Sequence, residues 1–178
     1  MSDKRPEILV GVSGSAASVS ALCWAAEEAD RVHATLRVVL AWVPEPHAYY
    51  AHIHEPADAE QQERGRQTLA VAIRSALGSR THPDIVTNVV ELMPERALVD
   101  TSAEADLLVL GSDSGVTAGR SIGPVIRACL SRAHCPVVVV SPETFPHRDA
   151  PPDETGGHSY DEQFLLAIGA VPPQRTAS

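Results

Sequence analysis

Five short apolar runs recur along the chain, and the segments between them carry helical spacing. The runs are EILVGVS (Glu7 to Ser13), TLRVVLAWV (Thr35 to Val43), DIVTNVVEL (Asp84 to Leu92), ADLLVLG (Ala105 to Gly111) and CPVVVVS (Cys135 to Ser141). Runs this short and this continuously apolar suit strands buried on both faces, which is the environment of a parallel sheet. The third run is more polar, and its spacing predicts a peripheral strand.

Between the runs, Val19, Leu22, Cys23 and Ala26 fall at i, i+3, i+4 and i+7, with Ser15 or Ser18 available as N-cap. Asp58 to Leu77 reads as a second helix, and Pro94 opens a third through about Glu104. Proline suits the first helical position, where its missing N–H costs nothing. Ile126, Cys129, Leu130 and Ala133 repeat the first spacing and predict a fourth helix that includes His134. The order βαβαβαβαβ with right-handed crossovers gives an α/β fold: a five-stranded, parallel, doubly wound sheet of Rossmann-like type, with expected order 3-2-1-4-5.

Only 4% of the 178 residues are aromatic against 44% hydrophobic, so the core must come from Val, Leu, Ile and Ala. The formal net charge is -9, and no cationic block occurs. Nucleic acid and anionic membrane surfaces are therefore excluded as expected partners, since neutralising phosphate needs clustered Lys and Arg. Cys23, Cys129 and Cys135 form no CxxC and read as reduced thiols. No apolar stretch is long enough for a signal peptide or a membrane span, so the expected location is cytoplasmic. Beyond Ser141, Pro142, Pro146, Pro151, Pro152, Pro172 and Pro173 punctuate a polar segment whose one apolar patch runs from Phe164 to Val171. The expected organisation is a domain over 1–142 and a Pro-rich, mobile tail over 143–178.

In a doubly wound sheet, ligands bind beyond the carboxyl ends of the strands where strand order reverses. With order 3-2-1-4-5 the loops there are SGSAAS (Ser13 to Ser18) and GSDSGVTAGRSIG (Gly111 to Gly123). Both are rich in Gly and Ser and both lead into helix N-termini, whose N–H groups and partial positive charge favour phosphate. Either loop alone would read as turn punctuation. Their convergence at the reversal points to a binding site.

At these residues the chain resembles the universal stress protein family, through ILVGVSGSAASVSALCWAAEEA, LRVVLAWVPEP, PERALVDTSAEADLLVLGS and SRAHCPVVVVSP. The resemblance runs from about Ile8 to Ser141. It implies a small cytoplasmic α/β protein, usually a homodimer, which in one branch binds ATP at the reversal point through GxxG, nine residues, then Gly followed by Ser or Thr. Here Gly111 matches the first glycine, Ser114 stands at the second, eight residues separate it from Gly123, and Pro124 replaces the Ser or Thr. Ser13 replaces the Asp that would hold the ribose. A lost charged partner weakens binding by about 1.5 to 3 kcal/mol and a lost neutral donor by about 0.5 to 1.5 kcal/mol. Hydroxyls of Ser112, Ser114, Thr117 and Ser121, and the charge of Arg120, could compensate. The resemblance places Ala41 beside the adenine through its backbone. The candidate nucleotide contacts are Ser13, Gly14, Ser15, Ala41, Gly111, Ser112, Ser114, Gly115, Arg120, Gly123 and Val125, and Asp113 could hold Mg²⁺ beside a triphosphate.

Other constellations carry less. SGSAAS also resembles the SGGxDS turn of ATP pyrophosphatases over six residues, but Ala17 stands where that turn has Asp. His47, His52, His54 and Glu55 lie in a loop bounded by prolines, a poor support for a metal, and read as a lid or surface loop. Cys23 and Cys129 sit on apolar helix faces as core residues, and no serine or thiol has an evident base. Val137 to Val140 would form a flat apolar sheet edge. In the family the corresponding strand pairs with its twin, which implies a homodimer here. The expected function is a regulatory stress-response module, not an enzyme, binding ATP or another adenine nucleotide weakly. The alternative is a nucleotide-free dimeric interaction protein.

Overall fold

The computed structural model describes residues 5–43, 55–78, 84–112 and 122–142, with side chains from residue 59 onward in the second segment. The elements run β1 (Glu7–Gly11), α1 (Ala16–Val32), β2 (Thr35–Trp42), α2 (Glu55–Leu77), β3 (Ile85–Glu91), α3 (Pro94–Thr101), β4 (Leu107–Gly111), α4 (Pro124–Arg132) and β5 (Val137–Val140). All four strand pairings are parallel. The order is β3-β2-β1-β4-β5, the one expected. The tail, 143–178, and the His47 to His54 loop lie outside the described residues.

Two apolar layers sandwich the sheet, because the side chains of each strand alternate between its faces. Ile8, Val10, Leu36, Val38 and Val109 pack under α1 and α2 with Leu22, Ala25, Ala29, Leu69 and Ala72. On the other face Leu9, Val39, Leu108 and Leu110 pack with Leu98 of α3 and Ile126 and Cys129 of α4. The alanines of α1 let the helix lie close to the central strands. Gly65 does the same in α2, where a Cβ would stand 2.7 Å from Val89 Cγ1.

Three expectations need correction. The third helix stops at Thr101, and the chain to Ala105 continues as tight turns, with the N–H groups of Ala103, Glu104 and Ala105 donating three residues back. Leu130, predicted on the apolar stripe of the fourth helix, is 50% exposed, because α4 lies at the sheet's flank and covers it with Ile126 and Cys129. His134 lies beyond the end of that helix, which the Ala133 N–H closes on Cys129 O at 2.8 Å.

At the amino edge of the sheet, Glu7 is buried and meets Arg37: Nη2 donates to Oε2 at 2.9 Å, and Nε lies 2.7 Å from Oε1. The Glu7 N–H donates to Asp106 Oδ2 at 2.9 Å. These contacts tie β1 to β2 and to the entrance of β4. Among the described residues no helix is long and apolar enough to cross a membrane.

Candidate functional site

Register brings the carboxyl ends of three strands to one level. Gly11 faces Val39 and Val10 faces Val109, so the same register carried forward aligns Ser13, Ala41 and Ser112. The ladders extend past the strands through Val12 N–H to Val39 O and Ser112 N–H to Val140 O, both 2.9 Å. The order reverses between β1 and β4, and there the loop after each strand turns into a helix.

The loop after β1 turns three of its donors onto its own serines. Gly14 has φ 89°, a left-handed conformation that favours glycine. Its N–H donates to Ser18 Oγ at 3.1 Å, and that hydroxyl donates to Ser15 O at 2.8 Å. Ser15 is the N-cap of α1 and accepts from the Ser18 N–H at 3.3 Å, while its own N–H donates to Ser13 Oγ at 3.4 Å. Ser13 Oγ is also 3.1 Å from Ser15 Oγ. Three N–H groups that an anion would use are thus turned onto serine hydroxyls. Ser13 remains exposed at the site level.

Gly111 has a packing duty that its sequence context does not reveal. A Cβ there would stand 2.2 Å from Ala17 O and 2.3 Å from Ala17 C, so only glycine lets the first turn of α1 rest on the end of β4. Ser112 follows, buried. Asp113, Ser114, Gly115, Thr117, Arg120 and Ser121 lie outside the described residues.

The far side of the site is the N-terminus of α4. Gly123 is its N-cap, with φ -57°, and among the described residues no atom lies within 4 Å of where its Cβ would be. Neither backbone conformation nor packing among the described residues calls for glycine at this position. Gly123 brings no capping side chain, Pro124 at the first position has no N–H, and half-buried Val125 follows. Among the described residues nothing caps this end, whereas Ser15 caps α1. Arg127, in the first turn, donates from Nη2 to Ile122 O at 3.4 Å. A cation there opposes the helix dipole, which favours acids at that end. That misplaced charge is the sequence signal by which Arg127 could have been singled out.

Also missed were Val43, Met93 and Ile122, exposed apolar residues just past β2, past β3 and before α4. The Leu92 N–H donates to Trp42 O at 3.0 Å and joins the first two of these ends. Their signal was position: each follows or precedes an element at the carboxyl edge. The arrangement offers hydroxyls, a helix terminus and apolar side chains, which suit binding. Burial pushes the Cys129 thiol up to about 11 and raises that of Cys135, so neither is primed as a nucleophile. Among the described residues no group of three His, Cys, Asp or Glu could hold a metal.

The model of the universal stress protein family matches residues 5–141. A universal stress protein of Mycobacterium tuberculosis is 32% identical over 148 residues, covering 77% of this chain and 48% of that protein. The chain spans about half the length of the curated relatives it matches. Among solved structures, a universal stress protein in complex with cAMP is 26% identical with a TM-score of 0.57, covering 76% of this chain and 96% of that one. A universal stress protein family member from Burkholderia pseudomallei is 25% identical with a TM-score of 0.55, covering 79% and 98%. With its matched residues spanning β1 to β5, the chain belongs to the universal stress protein family.

Proposed function

We propose that this domain is a regulatory module of the stress response that binds an adenine nucleotide where strand order reverses between β1 and β4. The observation that carries the reading is the alignment of Ser13, Ala41 and Ser112 at one level beside the uncapped N-terminus of α4. The cAMP complex of a 26% identical relative supports the ligand class. Ala41 would face the base through its backbone, and Ser13, Gly14 and Ser15 would face the sugar. Gly111, Ser112, Ser114, Gly115, Arg120, Gly123 and Val125 would line the phosphate side.

The residues fit a sugar and an anion unequally. Ser13 and Ser15 offer hydroxyls, while the N–H groups of Gly14, Ser15 and Ser18 are already bonded. The α4 side would then carry more of the anion binding, where no described atom crowds Gly123. ATP with Mg²⁺ held by Asp113 is the finer form of the reading. We also propose a homodimer in the cytoplasm, formed through the Val137 to Val140 edge. Exposed Val139 on β5 and Leu130 on neighbouring α4 support that interface.

The test is calorimetric titration with ATP and Mg²⁺, AMP and cAMP in parallel. Saturable micromolar binding of at least one is expected. Silence of all three up to millimolar concentration would overturn the reading. It would favour a nucleotide-free dimeric interaction module, to which the self-capped β1 loop and Pro124 already point.

A further inference from the structure

Among the described residues the sheet has a second uncovered edge, at β3. Its Ile85–Glu91 run, IVTNVVE, contains no Lys, no Pro and no inward charge, the usual devices that keep an edge strand from pairing. It pairs with β2 over seven residues, Leu36↔Ile85 to Trp42↔Glu91. The bonds at the two ends, Leu36 N–H to Asp84 O and Leu92 N–H to Trp42 O, fix which peptide groups face β2. In a parallel ladder these alternate, so Thr87 and Val89 direct their N–H and C=O groups outward.

Beside that open row lies a groove of about 480 Å³ between β3 and α2. Leu69, Ile73 and Val89 give it an apolar floor. Among the described residues Arg66 is the one charged residue lining it, in a chain of net charge -9. Arg66 is exposed, and its ion pair with Glu63 is a single contact at 3.4 Å.

We propose that β3 and this groove form a docking edge for an extended peptide segment of another protein, added as a sixth strand with a carboxylate side chain directed at Arg66. Thr87 and Val89 supply the main-chain bonds that give affinity. The apolar floor takes the side chains on one face, and Arg66 selects for an acid among them. This proposal does not rest on the nucleotide reading.

The experiment is fluorescence anisotropy of the full chain with the labelled peptide acetyl-Thr-Val-Glu-Val-Thr-Val-Thr-amide, alongside a peptide with Lys for Glu. Thr87→Pro removes an outward N–H and leaves the bonds to β2 intact, so the fold should persist by circular dichroism. Saturable binding is expected, weakened about tenfold or more by Thr87→Pro and by Arg66→Glu. The Lys peptide should bind more weakly than the Glu peptide and recover on Arg66→Glu. No saturable binding by the wild-type chain, or equal binding by Thr87→Pro, overturns the proposal. So does a halving of molar mass in Thr87→Pro by sedimentation, which would make the occupant of this edge a second copy of the chain.

Discussion

Gly111 meets two demands at one position: it ends β4 at the site level, and it lets the backbone of Ala17 pass at a distance no side chain allows. Gly111→Ala is expected to lower stability by about 1 to 3 kcal/mol through overpacking, measured by urea unfolding. Lost nucleotide binding in that variant would therefore say nothing about phosphate contact. Ser13→Asp is the informative change. A carboxylate at the exposed end of β1 should tighten AMP binding by about 10- to 150-fold, the equivalent of about 1.5 to 3 kcal/mol for a charged hydrogen bond. Unchanged calorimetric affinity would remove Ser13 from the site. Cys129 gives a pH signature. Burial favours its neutral thiol, so the unfolded chain releases that proton first as pH rises. Its contribution to stability is flat below the ordinary value of 9.0 and falls as pH climbs towards about 11. Thermal melts across that window should show a decline that Cys129→Ala reduces.

The helices differ in how much of each was legible. The spacing of Val19, Leu22, Cys23 and Ala26 marks α1, and Ser15 caps it as the sequence allowed. Removing that cap, Ser15→Ala, should cost about 1 kcal/mol. The fourth helix was legible as a helix, yet its buried stripe was not. Periodicity cannot say whether a helix lies over the middle of a sheet or at its flank, and the flank position leaves Leu130 in solvent. That exposure joins Leu130 to the β5 edge. Val139→Lys puts a charge on the edge and is expected to shift sedimentation to the monomer mass with little change in melting temperature. An unchanged mass would place the dimer contact elsewhere. The third helix ends early because Ser102 turns inward, its Oγ donating to Val99 O and accepting the His134 N–H at 2.9 Å. That partner lies 32 residues away, which no local pattern could indicate.

At the scale of the molecule, the last sheet contact is the Ser112 N–H bond to Val140 O, and the described chain stops at Pro142. A chain ending at Pro142 is expected to unfold cooperatively with the melting temperature of the full chain, by calorimetry. A drop of many degrees would move the domain boundary into the tail. The sequence alone determined the sequence of strands and helices and their parallel pairing, and narrowed the strand order to a few. Continuous apolar runs can be buried only between two helical layers, and right-handed crossovers leave few ways to wind them. From that order followed the reversal point and the two loops beside it. Only the tertiary structure decided why Gly111 has to be glycine: the backbone of Ala17 rests where its Cβ would stand. That contact joins segments nearly a hundred residues apart in the chain, and spacing within a segment carries no information about it.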